Sequence, residues 1–147
     1  MPAPTRMEIN MSESDKLAWL VGFFEAEGSI SLKVQRHHQK KTIISVYIQI
    51  TNQVETPILL YHAIFGGNTY RDRKYYTWKL AGNAKVAQFL SAIKCLCLIK
   101  NKQVDLALRA LEIQRDRGIG KRQGYSSDAM TELIAIKQDI MNENKKT

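Results

Sequence analysis

Leu17, Leu20, Val21 and Phe24 recur at the three- and four-residue spacing of a helix that ends near Gly28. Ser12 or Ser14 can cap its start, and Glu13 and Asp15 suit its positive end. From Ser29 the period changes to two. Ile30, Leu32 and Val34 alternate with Ser31, Lys33 and Gln35, and after the polar tract 37–41 Ile44, Val46, Ile48 and Ile50 alternate with Ser45, Tyr47, Gln49 and Thr51. This pattern predicts a hairpin of two half-buried strands. Thr56-Pro57 predicts a helix start, a capping hydroxyl followed by proline, and Gly66-Gly67 stops that helix after Phe65. A second hairpin follows, Asn68 to Arg73, a turn near Lys74, then Tyr75 to Ala81. Asn83 begins a helix with Val86, Phe89, Leu90 and Ile93 on one face. The chain breaks around Lys100-Asn101 and continues as a helix to about Arg117, and Ser126 or Ser127 caps a last helix.

The order helix, hairpin, helix, hairpin, helices predicts an α+β fold with an αββαββα core, a twisted four-stranded antiparallel sheet carrying its helices on one face. The other face must then meet water or a partner. Continuing the alternation through both hairpins, the outward set is Ser29, Ser31, Lys33, Gln35, Ser45, Tyr47, Gln49, Thr51, Thr69, Arg71, Arg73, Tyr75, Thr77 and Lys79. It holds cations, amides and hydroxyls but no acid, because Asp72 falls on the other parity. A solvated surface normally mixes both signs. This face therefore reads as a sheet laid on DNA, with Lys33, Gln35, Tyr47, Gln49, Arg71, Arg73, Thr77 and Lys79 as candidate contacts to bases and phosphates.

Charge points the same way. Twenty-two Lys and Arg against 14 Asp and Glu leave a net charge of +8 and a pI near 9.6, the balance of a chain that meets a polyanion. The 44% apolar fraction and the length of 147 residues suit a single globular domain, with residues 1–12 read as a flexible arm. Cys95 and Cys97 are too few and too close together to staple a secreted fold or complete a zinc site, and read as buried thiols in a reducing compartment. With no apolar run of membrane-spanning length and no signal-peptide pattern at the start, the expectation is a soluble intracellular protein, in prokaryotic cytoplasm or an organelle interior, with no membrane partner.

Two acids, Glu25 and Glu27, stand in the apolar run GFFEAEGSI. Two residues apart on a helix, they point about 200° away from each other and cannot share one ion. One carboxylate is also a poor site for a hard cation, which wants several oxygens. Two copies of the helix side by side, each contributing Glu27, remove the difficulty. Ala18, Gly22 and Ala26 form a small-residue seam at four-residue spacing that would let the two approach closely. Glu25 then takes a helix-interface or capping role. His37, His38 and His62 show no ligand spacing.

Leu20 to Gly28, LVGFFEAEG, resembles the LAGLIDADG motif of homing endonucleases. The strand end IQITN (48–52), the hairpin YRDR (70–73) and the run KNKQ (100–103) resemble the single-motif, homodimeric branch, so that the likeness covers Leu17 to about Asn142. It departs in carrying Glu at both acid positions and Thr56 where that branch carries arginine.

The resemblance implies an intron-encoded, site-specific endonuclease that cuts both strands of a long, near-palindromic double-stranded DNA as a homodimer through the motif helix. It implies Mg²⁺ as cofactor, with Mn²⁺ or Ca²⁺ able to occupy the site. Glu27 is the implied metal ligand, joined by the main-chain carbonyl of Ala26. Asn52 is implied to order attacking water, and Lys100 to lie near the scissile phosphate. An RNA-binding intron maturase and a DNA-binding regulator without cleavage are the alternative functions on the same scaffold.

Overall fold

The computed structural model describes residues 12–36, 42–117 and 125–145, with the side chains of residues 35, 36, 42 and 117 excepted. Helix α1 (Glu13–Glu27) starts where Ser12 Oγ accepts the Asp15 amide at 3.1 Å. It stops where Gly28 turns extended and gives its amide to the Phe24 carbonyl. A side chain is excluded at Gly28: a Cβ there would lie 2.4 Å from the Phe24 ring and 2.7 Å from the Phe24 carbonyl.

Strands β1 (Gly28–Arg36) and β2 (Thr42–Asn52) pair antiparallel with Ile30 opposite Ile48 and Leu32 opposite Val46, so their aliphatic residues share the covered face. Helix α2 (Glu55–Phe65) follows. Its first turn differs from the expectation at Thr56: Val54 is the capping position, and the Asn52 side-chain oxygen accepts the Val54 amide at 2.9 Å. Pro57 still lies in the first turn, where a missing N–H costs no helical hydrogen bond.

Strands β3 (Asn68–Asp72) and β4 (Tyr75–Leu80) complete an antiparallel sheet of order β1-β2-β4-β3. Strand β4 pairs with β2 only from Ile48 to Asn52. Beyond that point Asn83, the first residue of α3 (Asn83–Ile93), takes over, accepting the Val46 amide at 3.3 Å and donating to the Ile44 carbonyl at 3.2 Å. A short 3₁₀ turn (Lys94–Leu96) leads towards α4 (Asn101–Arg117), and α5 (Ser127–Asn144), capped by Ser126, ends the described chain. The ion pairs Lys102–Glu143 at 2.9 Å and Arg109–Glu132 at 2.8 Å show that α4 and α5 run antiparallel. Asn144 ties the end of α5 to the Ile30 carbonyl of β1 at 3.0 Å.

The core lies between the sheet and the helices, with Leu20, Val21 and Phe24 of α1 meeting the aliphatic strand residues. Its aromatic centre is Phe24, Tyr61, Phe65, Trp78 and Phe89, with Tyr61 and Trp78 ring centres 5.0 Å apart and Phe65 edge-on to Phe89 at 4.8 Å. The polar ends of the rings are satisfied, Tyr61 by the Leu20 carbonyl and Trp78 by the Gly66 carbonyl at 2.7 Å. Of the two cysteines expected to be buried, Cys97 is and Cys95 is exposed. Among the described residues no helix is long and apolar enough to cross a membrane.

Candidate nucleic-acid interface and metal centre

The face of the sheet away from the core is built by the register. Ser29 stands opposite Gln49, Ser31 opposite Tyr47 and Lys33 opposite Ser45. Gln49 in turn stands opposite Lys79, and Thr51 opposite Thr77. Tyr47 is the centre of this surface. Lys79 Nζ lies 4.4 Å and Lys33 Nζ 5.2 Å from its ring centre, one lysine from each flanking strand. The Thr51 and Thr77 hydroxyls meet at 2.8 Å. Gln35 belongs to β1 opposite Ile43, and its side chain lies outside the described residues.

The second hairpin corrects the expected face. Strands β3 and β4 are joined by two residues, Arg73 and Lys74, with Asp72 opposite Tyr75. A two-residue connection pairs even positions of one strand with odd positions of the other, so the alternation does not carry through the turn. Asn68, Tyr70 and Asp72 therefore join Lys79, Thr77 and Tyr75 on the outward face. Thr69 and Arg71 stand opposite Trp78 and Tyr76, on the side of the helices, with the Arg71 guanidinium 5.5 Å from the Tyr76 ring centre. Arg73 is not a strand residue but the first of the turn, at φ 57°. The outward face thus loses Arg71 and gains an acid, Asp72. All of β3 remains exposed, so Arg71 lies at an open sheet edge.

Helix α1 separates its two acids as the spacing requires. Glu27 is exposed and, among the described residues, has no hydrogen-bond or ion-pair partner. Because the helix ends at Glu27, the Ala26 carbonyl has no helical amide four residues on and is left for another donor or a cation. Ala18, Gly22 and Ala26 are all exposed, and a Cβ at Gly22 would meet nothing within 4 Å. The seam is open on the surface of the single chain.

Glu25 points inward and is only 8% exposed. Its carboxylate accepts the amides of Leu98 at 2.9 Å, Lys100 at 2.8 Å and Ile99. Burial pushes the carboxyl up, but these amides and the Lys100 ammonium outweigh it, and its pKa lies below the ordinary value. Lys100 is not a solvated helix-end lysine but only 3% exposed. Burial pushes its ammonium down, against the opposing pull of Glu25 and of Cys97. Burial also raises the Cys97 thiol, to about 11, with Glu25 adding to the rise.

Asn52, at the end of β2, is half-buried and uses its side-chain oxygen on the Val54 amide, leaving its Nδ2 to donate elsewhere. Sequence reasoning missed two features of this region. Leu98 and Ile99, on the loop that Glu25 grips, are 86% and 60% exposed, and the side chain of Gln103 is buried with no hydrogen-bond partner among the described residues. The five-residue apolar run Cys95 to Ile99 has no polar position that would have marked Leu98 and Ile99 as outward.

The fold and site define an α+β module whose first helix ends in an unpartnered carboxylate and runs directly into a sheet with a basic outer face. Residues 20–110 match the family model described as LAGLIDADG endonuclease. The chain belongs to that family. A probable intron-encoded endonuclease, aI2, of Debaryomyces hansenii is 30% identical over 90 residues, 52% of this chain, and the chain spans only 14% of that protein's length. Among solved structures, an archaeal intron-encoded homing endonuclease, I-Vdi141I, complexed with DNA, superimposes with a TM-score of 0.76 at 14% identity, over 90% of this chain and 86% of that one. The homing endonuclease I-CvuI, in complex with a DNA target in the presence of magnesium, gives 0.72 at 17% identity, over 87% and 81%. I-GzeII, a LAGLIDADG homing endonuclease in complex with its DNA target, gives 0.71 at 16%, over 82% of this chain but 43% of that one.

Proposed function

We propose that this chain is an intron-encoded, divalent-metal-dependent homing endonuclease that acts as a homodimer and hydrolyses both strands of a long, near-palindromic DNA site. The observation that carries this reading is the end of α1, where an exposed, unpartnered Glu27 follows a carbonyl released by the helix end. Both are oxygen donors, the type a hard cation selects, and the negative end of the helix favours positive charge. Among the described residues no three His, Cys, Asp or Glu side chains converge on one point, so a metal at Glu27 finds one carboxylate per chain. A second copy across the Ala18-Gly22-Ala26 seam supplies the other. The coverage of the solved relatives supports pairing, since the module makes up most of I-Vdi141I and I-CvuI but under half of I-GzeII.

In this reading Glu27 and the Ala26 carbonyl hold Mg²⁺, and Mn²⁺ or Ca²⁺ can take the same donors. The bound ion supplies Lewis-acid activation of water and neutralisation of charge at the phosphate. Lys100 adds a cation where charge builds on phosphorus, and Asn52 offers Nδ2 to order water. The sheet face centred on Tyr47, with Lys33, Gln49, Thr77 and Lys79, grips phosphates and reads base edges, and Arg71 and Arg73 serve from the hairpin edge and turn.

The test is incubation with a random-site plasmid library in Mg²⁺ and in EDTA, with Glu27→Gln beside the wild type. Linear product in Mg²⁺ alone is expected from the wild type. Glu27→Gln should give none while binding the selected site within roughly tenfold of wild type, since most affinity comes from phosphate contacts. Specific binding without linearisation by the wild type would replace this reading with that of a DNA-binding regulator.

A further inference from the structure

Glu25 and Glu27 sit on one rigid helix, yet the structure gives them different partners. Glu27 ends α1 and faces out, whereas Glu25 reaches across to residues 98–100 and accepts three consecutive main-chain amides. Those amides belong to the segment just before α4, which begins at Asn101. Within the contacted segment Leu98 and Ile99 turn their side chains to the surface, and no helix or strand includes them. The carboxylate holds this backbone through its amides, the Lys100 carbonyl takes the Val104 amide at 2.9 Å, and Lys100, the last residue Glu25 grips, is the one whose side chain turns inward.

We propose that Glu25 is a positioning residue for Lys100, and that the two-residue spacing of the acids makes α1 a ruler setting the lysine relative to the metal-binding end of the same helix. The inference rests on the endonuclease reading above and adds a residue to it. Glu25 touches neither substrate nor metal in this scheme. It acts by holding the loop, so that the ammonium of Lys100 and the carboxylate of Glu27 keep a constant separation when the chain meets DNA. A carboxylate suits this task better than an amide: Oε2 accepts all three amides with the strength of a charged acceptor, and Oε1 accepts Leu98 as well, where a glutamine NH₂ would set a donor against a donor.

The test uses the full chain and Glu25→Gln. Circular dichroism and unfolding define the folded fraction, filter binding gives DNA affinity, and single-turnover cleavage gives the chemical rate per folded molecule. The ¹³Cε and ¹⁵Nζ resonances of Lys100 report its surroundings independently of any cleavage. The expected result is a displaced Lys100 signal, a cleavage rate lowered about ten- to a hundredfold, as when a supporting contact of an active site is lost, and DNA affinity within about threefold of wild type. Leu133→Ala, which loosens the buried face of α5 beside the Arg109–Glu132 pair and away from the Lys100 end of α4, is the control for destabilisation alone, and should leave both the Lys100 signal and the rate per folded molecule unchanged. An unmoved Lys100 signal, or an unchanged cleavage rate per folded molecule, overturns the inference while leaving a cleaving wild type an endonuclease. A wild type that cuts no DNA overturns the endonuclease reading, and this inference with it.

Discussion

The ammonium of Lys79 stands 4.4 Å above the ring of Tyr47, the two residues belonging to neighbouring strands of the outward sheet face. Lys33 approaches the same ring from the other flanking strand at 5.2 Å. The ring holds both long side chains over the sheet and lowers the freedom they lose on meeting a phosphate. Tyr47→Ala should therefore weaken DNA binding more than removal of its own contact explains, because both lysines lose their support. If Lys79 binds phosphate, Lys79→Ala should lower the slope of log K against log salt by about 0.9 per contact. Titrations at three salt concentrations check this, and an unchanged slope in both variants would remove the pair from the interface.

Asp72 and Arg71 exchange places relative to the plain alternation, and this reverses the expected effect of their substitution. Asp72 shares the outward face with Lys79, and Asp72→Asn should tighten DNA binding by removing a like charge from that surface, the more so at low salt. Arg71→Ala should cost less than the about 1 to 3 kcal/mol of a bidentate guanine contact, since its guanidinium leans on Tyr76 on the helix side. A loss of sequence preference at one base position on Arg71→Ala would show that the edge strand turns on binding.

Two glycines, Gly22 inside α1 and Gly28 just past its end, face opposite demands. Gly28→Ala puts a methyl into the Phe24 ring and should destabilise the fold by about 1 to 3 kcal/mol by overpacking. Gly22→Ala meets nothing in the single chain, so it should stabilise the isolated helix by up to about 1 kcal/mol through better propensity. The bulkier Gly22→Leu should lower the dimer mass in light scattering and cleavage together. Unchanged dimer mass with Gly22→Leu would move the seam elsewhere.

The Glu25 carboxyl has its pKa lowered by folding, so the folded state holds its proton less tightly than the unfolded chain. Its stabilisation is then fully present above the unfolded value near 4.5 and is lost as pH falls through the lower folded value. Wild type should exceed Glu25→Gln by about 2 kcal/mol at pH 7, in line with hydrogen bonds to a charged group. The gap should close on acidification below 4.5. Urea unfolding of both proteins across this range measures it, and a gap that persists at low pH would assign the effect to packing.

Among the described residues the buried carboxamide of Gln103 has no hydrogen-bond partner, an arrangement that costs stability if it stays dry. Gln103→Leu, of similar volume, should raise the urea midpoint without changing the slope. A lower midpoint would mean that the amide holds a water or a partner across the dimer.

Periodicity and turn residues were enough for the element order, because every helix and strand here except the exposed edge strand β3 buries one face, and the apolar spacing records that face directly. Ile30 and Leu32 opposite Ile48 and Val46, the stop at Gly66, and the restart at Asn101 all follow from such local rules. The motif helix was legible for the same reason: two acids two residues apart cannot share a side of a helix, whatever surrounds it. The parity of β3 was not, because one residue more or less in the turn at Arg73-Lys74 moves every side chain to the other face, and turn length is settled by how the paired strands close. Nor could spacing reveal that Glu25 caps the amides of Leu98 to Lys100. Those residues lie up to seventy-five positions away, and only the packing of α4 against the rest of the core brings their amides to a carboxylate that local sequence merely required to face inward. The chain's own pattern determined which acid is buried and which is free; the tertiary structure decided what the buried one holds, because hydrogen-bond partners across a core are chosen by chain topology and not by local period.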